Sequence, residues 1–504
     1  MAIKILFIDP SLPYDNPVFE HEIPIHLVYL ANFLMEKMYP KPEIEFLDLE
    51  WERKMDKAFD PFNIMRIERL IMSTIDHAFN FRREDRFFVL VSCFFTYQYL
   101  SSKKVLEAIQ NLRKSNSIDV FKVIVGGYHP TILPGDFNDL GVDCVIRGEG
   151  EIALLDLLSR NGNVSSHTEI IEGSIVRDLD MLPPVDFSVY KKYVPYYKHL
   201  SITLSRGCPF NCNFCIEKKY KAFKCEKAAW REYSPDRAKI EIRNVIKASE
   251  SMLNGRDKQI GFYDPIFGFN ERWLRGVLEF LREENYGYHF WAETRIDSFK
   301  KDSITAMKAA NISLMLGLES GSPKMLHLMN KTKDPKGFLN KLECILNRSK
   351  EINYGPFVLN LMFNFPGENP KTLGETFTYL DRLINDCGNF TAGSNFYNFF
   401  PGDAIFSDTG TWEKEHGTKI YFKEWWKSQE TATAGHILDA SRDLTIRDSI
   451  TRVHDGMKAF FESVIMNETS LAKKLFVANK MAFEGKIFKN WLLTIDKLLN
   501  YNAH

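Results

Sequence analysis

The stretch Arg206-Gly207-Cys208-Pro209-Phe210-Asn211-Cys212-Asn213-Phe214-Cys215 places three cysteines within eight residues, in a C-x3-C-x2-C arrangement. Thiolates are soft ligands, and three on one short loop suit an iron–sulfur cluster. An electron-carrying [4Fe–4S] centre takes four cysteines, one per iron. No fourth cysteine continues this run at iron–sulfur spacing; the nearest, Cys225, follows ten residues later across a lysine-rich stretch. Three ligands leave one iron open to bind a small molecule. Two other readings compete. Zinc takes four N/S ligands in paired arms, and no second arm is visible. Three unrelated loop cysteines are the other alternative. What surrounds the loop favours the cluster.

Working outward, the 504 residues suffice for two or three domains with separate cores. Lys+Arg (65) and Asp+Glu (66) nearly cancel, so nothing suggests a nucleic-acid footprint. Aromatic residues reach 13%, with 40 Phe, a composition that suits apolar cavities. Met1–Asp9 is too short an apolar run for a signal peptide and reads as a first strand. No stretch approaches a transmembrane helix. Eight cysteines in so long a chain do not make a disulfide framework, so a reducing, cytoplasmic compartment is expected.

Residues 1–165 alternate short apolar runs with helical patterns, the signature of a Rossmann-like α/β domain with a parallel sheet. The expected strands are Ile3–Ile8, Glu43–Leu47, Phe87–Val91, Lys122–Val125 and Cys144–Arg147, with helical periods over Leu27–Met38 and Lys103–Leu112. Ligands on such sheets lie outside the carboxyl ends of the strands. Those ends carry Asp9-Pro10-Ser11, the hydroxyls of Ser92 and Thr96, Gly126-Gly127-Tyr128-His129-Pro130-Thr131, and Gly148-Glu149-Gly150-Glu151. Sharp strand-to-helix turns explain the glycines equally well. Residues 166–199, interrupted by Pro183, Pro184 and Pro195, read as a linker. From 200 to 400 the strand, loop, helix pattern of a partial, TIM-like (β/α) barrel follows, its active residues expected at strand carboxyl ends. Residues 401–504 read as mainly helical, over 444–466 and 470–500, and substrate-specific.

The cysteine loop, with Pro209 after its first cysteine and Phe214 before its third, resembles the radical S-adenosylmethionine superfamily. The ordered series Gly-Gly-x-His-Pro-Thr, Asp143 with Gly148-Glu149-Gly150-Glu151, and Asp178-Leu179-Asp180-Met181-Leu182-Pro183-Pro184 resembles its cobalamin-binding branch over roughly residues 1–400. The resemblance implies a [4Fe–4S] cluster on Cys208, Cys212 and Cys215, which serve as catalytic cluster ligands, and an open iron that chelates S-adenosylmethionine. One electron then releases a 5′-deoxyadenosyl radical. It also implies cobalamin on the first domain, with Ser92, Thr96, Gly126, Gly127, His129 and Glu149 as candidate contacts. The wider cobalamin fold often carries D-x-H-x-x-G; this chain has Asp9-Pro10-Ser11-Leu12 instead.

Further segments resemble the family's S-adenosylmethionine contacts. Trp230-Arg231-Glu232-Tyr233 offers Arg231 for the carboxylate, against the alternative of a solvated arginine. Asp264, in Asp-Pro-Ile-Phe-Gly-Phe-Asn, resembles an active-site acceptor, with Asn270 as a helix cap. Glu293 and Arg295 alternate onto one strand face, where they either pair with each other or meet a polar ligand. Gly317-Leu318-Glu319-Ser320-Gly321-Ser322 resembles the segment beside the ribose and amino group, which marks Glu319 and Ser320, with Phe214 near the same ligand. Pro366-Gly367-Glu368 reads as an architectural turn. The implied activity is methylation of an unactivated carbon with cobalamin as methyl carrier, or else radical cyclisation, rearrangement or oxidation in which cobalamin is absent or carries no methyl group. The implied partners are a small-molecule or peptide substrate and an electron donor such as flavodoxin or ferredoxin, with no nucleic acid and no membrane.

Overall fold

A computed structural model of the chain describes residues 2–12, 23–82, 84–115, 121–160, 168–217, 230–252, 258–467 and 471–501. The chain forms two compact units, one of residues 1–204, 231–261 and 426–432, the other of residues 205–230, 262–425 and 433–504.

The first unit is built on six parallel strands: β1 Ile3–Asp9, β2 Glu43–Asp48, β3 Arg86–Ser92, β4 Phe121–Gly126, β5 Cys144–Arg147 and β6 Glu169–Glu172. Their order is β2-β1-β3-β4-β5-β6. Ile5, Leu6, Phe7 and Ile8 are wholly buried, because helices cover both faces of a parallel sheet and every strand position becomes interior. The crossovers carry helices Ile25–Lys37, Ile64–Ala78, Tyr99–Lys114 and Gly150–Ser159. Chain order reverses between β1 and β3, and at such a switch point the crevice at the strands' carboxyl ends is the ligand position. Asp9 and Ser92 end those two strands.

The expected linker, residues 166–199, is corrected. Glu169–Glu172 is the sixth strand of the sheet, and Tyr190, Tyr193 and Tyr197 are buried at the opposite edge, against Phe46 and Asp48 of β2. Tyr190 Oη donates to Asp48 at 2.6 Å, and Tyr197 Oη donates to the same carboxylate. The prolines exclude an α-helix but not the compact 3-10 turns Phe187–Tyr190 and Val194–Tyr196. The edge strand Glu-Ile-Ile-Glu is half exposed and has no apolar run to announce it.

Two further strands, β7 Leu200–Ile202 and β8 Gln259–Phe262, are neighbours. In the second unit β9 His289–Arg295, β10 Ile312–Glu319, β11 Phe357–Phe363 and β12 Phe390–Phe396 form consecutive parallel ladders. Helices Ser303–Ala309, Pro335–Glu351 and Pro370–Asp386 connect them, the alternation of a (β/α) barrel. Asn270 accepts from the amides of Arg272 and Trp273 as the cap of helix Glu271–Glu284. The carboxy-terminal region contains helices Ile446–Asn467 and Leu471–Tyr501, as expected. Gly456 lets the first of these lie on helix Pro370–Asp386, since a Cβ there would stand 2.4 Å from the Phe377 ring.

The turn after β11 carries an ionisable group inside the core. Glu368 is completely buried, and its Oε2 accepts from the Asn364 amide at 2.6 Å. Its Oε1 has no hydrogen-bond partner among the described residues, and neither has Asn364 Oδ1. Burial pushes the Glu368 carboxyl from 4.5 up to about 8, so the native protein keeps a proton there that the unfolded chain releases near pH 4.5. Its contribution to stability is therefore present below pH 4.5 and is lost as the pH rises towards 8. Denaturant titrations of wild type and Glu368→Gln should diverge by about 2–4 kcal/mol between pH 5 and pH 8, with the wild type losing stability. Parallel pH profiles would contradict a neutral Glu368.

Candidate active site

The cysteine loop begins at Gly207, whose φ of 77° lies in the left-handed region that glycine adopts freely. Cys212 is buried, and Cys208 and Cys215 are partly exposed. Asn213 fastens the loop. Its amide donates to Met329 O at 2.8 Å, its Nδ2 donates to Leu328 O at 2.9 Å, and its carbonyl accepts from the Ala404 amide at 2.9 Å. Asn330 Nδ2 adds a bond to Asn211 O at 2.7 Å. Phe214 packs edge-on to Phe365, which belongs to an apolar cluster with Met325, Met329, Tyr397, Phe399 and Ile405.

Burial, then Glu217 and the neighbouring thiols Cys212 and Cys208, push the Cys215 thiol up to about 12. A thiol so raised is no nucleophile near neutral pH, whereas a metal deprotonates it outright. Among the described residues no three His, Cys, Asp or Glu side chains converge as a single metal ion requires. A cluster gives each cysteine its own iron, so its thiolates need not converge on one point. Three soft sulfur donors on one short loop suit an iron–sulfur cluster. The remaining described cysteines lie elsewhere: Cys93 and Cys144 in the first unit, Cys344 on helix Pro335–Glu351 and Cys387 capping helix Pro370–Asp386. Cys225 lies outside the described residues.

Charged groups gather at the carboxyl ends of β9 and β10. Arg295 is buried and does not pair with Glu293, which is exposed on the same strand. It grips Asp297 side by side, Nε to Oδ1 at 2.8 Å and Nη2 to Oδ2 at 2.9 Å. Nη2 also donates to Lys331 O, and Nη1 donates to Cys212 Sγ at 3.2 Å. Although burial opposes the charge, Asp297 and the nearby thiols raise the Arg295 pKa further, so it stays a cation.

One strand over, Glu319 Oε1 accepts from Lys331 Nζ at 2.8 Å. The ladder is irregular between Gly317 and Glu319, and Glu319 has φ 65°, a strained conformation for a residue with a side chain. Gly317 has no room for a Cβ, which would stand 2.7 Å from Glu319 Oε1 and 2.8 Å from Lys331 Nζ. An ion pair thus lies over bare backbone at a strand end, an arrangement suited to a zwitterionic or polar ligand. Ser320 does not join it. Its hydroxyl meets Thr376 Oγ1 at 2.8 Å and accepts from the Ser322 amide, so it holds the turn. Asp264 accepts from Ser205 Oγ at 2.6 Å and is buried.

In the first unit the candidate contacts separate into two groups. Ser92, ending β3, bonds His26 Nε2 at 2.9 Å, and His26 stacks on Phe94 with ring centroids 4.1 Å apart. Phe95, next along, is 54% exposed at this edge. Asp9 Oδ1 and Ser11 Oγ are buried without hydrogen-bond partners among the described residues. Burial, with Asp48 and Glu50 close by, holds the Asp9 carboxyl well above the usual range. Orphaned polar atoms beside an exposed aromatic at the switch point fit a large polar cofactor such as a corrinoid. Thr96 and His129 belong to the second group, which faces inward. His129 is buried, with Nδ1 3.2 Å from Thr96 Oγ1 and Nε2 3.2 Å from Asp136. Glu149 and Arg231, expected at different cofactors, bind each other in a fork of 2.6 and 3.1 Å. Gly127 makes room for the chain's own backbone, since a Cβ would meet Cys93 O at 2.3 Å. Gly126, beside it, ends β4 and accepts from the Cys93 amide at 2.9 Å.

The sequence reading did not place Lys331, Asp297, Phe210, Asn213 or His26 in a site. The one signal for Lys331 is a lysine that follows the Gly317–Ser322 segment along the chain. Asp297 lies two residues beyond Arg295 in a turn, and Phe210, Asn213 and His26 meet partners far away in sequence, which no spacing reveals.

Residues 18–158 match the B12 binding domain family, and residues 202–380 match the radical SAM superfamily. The chain therefore carries both a B12 binding domain and a radical SAM domain. It is similar to an uncharacterized methyltransferase of Pyrococcus horikoshii, 24% identical over 350 residues, covering 64% of this chain and 69% of that protein. It is also similar to the anaerobic magnesium-protoporphyrin IX monomethyl ester cyclase of Rubrivivax gelatinosus, 23% identical over 323 residues, 57% of this chain and 53% of the relative. The hopanoid C-3 methylase of Methylococcus capsulatus is 30% identical over 240 residues, 44% of this chain and 43% of the relative. The chain therefore spans only about half of the last two. Among solved structures, the cobalamin-dependent S-adenosylmethionine radical enzyme OxsB with aqua-cobalamin superposes with TM-score 0.67 at 13% identity, over 97% of this chain and 72% of that one. The radical S-adenosylmethionine methyltransferase TsrM from Kitasatospora setae gives 0.58 at 14% identity, over 80% and 77%. At these identities the structures establish the fold.

Asn213→Ala removes the side-chain bond to Leu328 O and should weaken the loop by about 1 kcal/mol. Reconstituted variant should lose iron to a chelator several-fold faster than wild type while its melting temperature stays within about 2 °C. Equal rates of iron loss would show that Asn213 does not hold the loop.

Proposed function

We propose that this chain is a radical S-adenosylmethionine enzyme that uses cobalamin to methylate an unactivated carbon. The observation that carries the reading is the three-cysteine loop, fixed beside the Glu319–Lys331 pair in a chain that also carries a B12 binding domain. Cys208, Cys212 and Cys215 would hold a [4Fe–4S] cluster, and Asp9, Ser11 and Ser92 stand where a corrinoid would bind. Once loaded and reduced by a flavodoxin- or ferredoxin-type donor, these cofactors supply a 5′-deoxyadenosyl radical and a transferable methyl group.

The chain's own part is binding, orientation and exclusion of water. Glu319 and Lys331 offer one carboxylate and one ammonium to the amino-acid end or ribose of S-adenosylmethionine. Asp264, held by Ser205, and Glu293 are further polar groups at the strand ends. Phe214 and Phe365 close the apolar side, which protects a radical from solvent. Two of the relatives named above are a methyltransferase and a methylase, which supports methyl transfer. The cyclase of Rubrivivax gelatinosus supports a second reading, radical ring formation without methyl transfer. The substrate is a small molecule or peptide. No described helix is long and apolar enough to cross a membrane.

Protein purified anaerobically with cobalamin supplied should contain about four iron and one cobalt per chain. With reductant it should convert S-adenosylmethionine to 5′-deoxyadenosine, and Cys208→Ala should lose the cluster and this activity together. S-adenosylhomocysteine formed beside 5′-deoxyadenosine favours methyl transfer, and 5′-deoxyadenosine alone with cobalt absent favours the cyclase-type reading. Cleavage retained in Cys208→Ala would overturn both.

A further inference from the structure

Arg295 is buried at the carboxyl end of β9, and four of its five N–H donors have acceptors. Asp297 occupies the Nε and Nη2 edge, the flat fork with which arginine binds a carboxylate side by side. The second Nη2 donor goes to Lys331 O. One Nη1 donor points at Cys212 Sγ, 3.2 Å away. The guanidinium carbon lies 3.7 Å from the centroid of the Phe210 ring, so an aromatic face covers one side. One donor remains among the described contacts, too few for paired recognition of a carboxylate.

The geometry points to a different role: Arg295 is a positioning residue that sets the reduction potential of the cluster through a charge-assisted N–H···S bond to the Cys212 thiolate. This rests on the reading that Cys208, Cys212 and Cys215 hold a [4Fe–4S] cluster. Reducing the cluster once it is in place adds one electron from a low-potential one-electron donor, forms and breaks no covalent bond, and makes the centre more negative by one charge. Hydrogen bonds to the sulfurs and nearby charge are the levers by which a protein moves such potentials. A cation donating to a cluster thiolate favours the reduced state, more strongly in a dry interior than in water. The Asp297 clamp and the Phe210 ring fix the guanidinium in place, so the donor is aimed before the cluster is reduced.

The test is a dithionite-poised potentiometric titration of full-length wild type and R295M, reconstituted with iron and sulfide and read by the EPR signal of the reduced cluster. The expected result is a fall of tenfold or more in the one-electron reduction equilibrium of R295M, about 59 mV, with S-adenosylmethionine affinity changed less than threefold. Equal potentials overturn the role, as does an unchanged potential with lost S-adenosylmethionine affinity. If R295M holds less iron, R295K carries the test, because an ammonium cannot pair with Asp297 and reach Cys212 together. A lowered potential in R295K supports the role, and an unchanged one overturns it. A wild-type chain that takes up no cluster overturns the enzyme reading and this role with it, and the iron count shows that before any potential is measured.

Discussion

The chemistry of the second unit depends on a few hydrogen bonds that tie Asn211 and Asn213 to residues 328–330 and 404. A ten-residue loop of small, polar and aromatic residues has no conformation of its own, and ordering each residue costs about 1–2 kcal/mol. The amide, side chain and carbonyl of Asn213 all have partners, so the middle of the loop is held from both sides. The apolar cluster behind it, from Met325 to Leu438, supplies the remainder by burial. The three thiols are thus held in position by segments that contribute no ligand themselves.

The charges around the loop form a chain rather than isolated pairs. Lys331 belongs to both ends of it: its carbonyl accepts from Arg295 while its ammonium pairs with Glu319. Arg295 in turn joins Asp297 to the sulfur of Cys212. Buried ion pairs are costly to assemble and contribute little net stability, so such an array indicates a site rather than a scaffold. In the first unit, by contrast, the Glu149–Arg231 fork is joined by Val176 and the His129–Asp136 contact by Trp426, so both tie turns of the chain together.

The sheet of the first unit was legible because parallel strands buried on both faces read as plain apolar runs, and all five expected strands are present. Its sixth strand was not, because Glu169–Glu172 lies at an edge and is half exposed. The cysteine loop and Glu319 could be read from local spacing and small neighbours. The partners of Arg295 could not. Alternation placed Glu293 on the same face, but Asp297 lies two residues on in a turn, and a turn beyond a strand end does not follow the period of two. Thr96, His129 and Ser320 carried the right functional groups at the right strand ends. Whether a hydroxyl or imidazole faces a ligand or its own turn depends on side-chain partners that sequence pattern does not specify.

The Glu319–Lys331 contact has a consequence for how a ligand enters. With no ligand in place, each charge neutralises the other across 2.8 Å. A zwitterion offers one group of each sign, so its arrival swaps partners like for like: one contact opens and two form, and the local sum of charge stays zero throughout. An uncharged analogue would have to separate the two without replacing either. A site built this way would discriminate by exchange rather than by attraction.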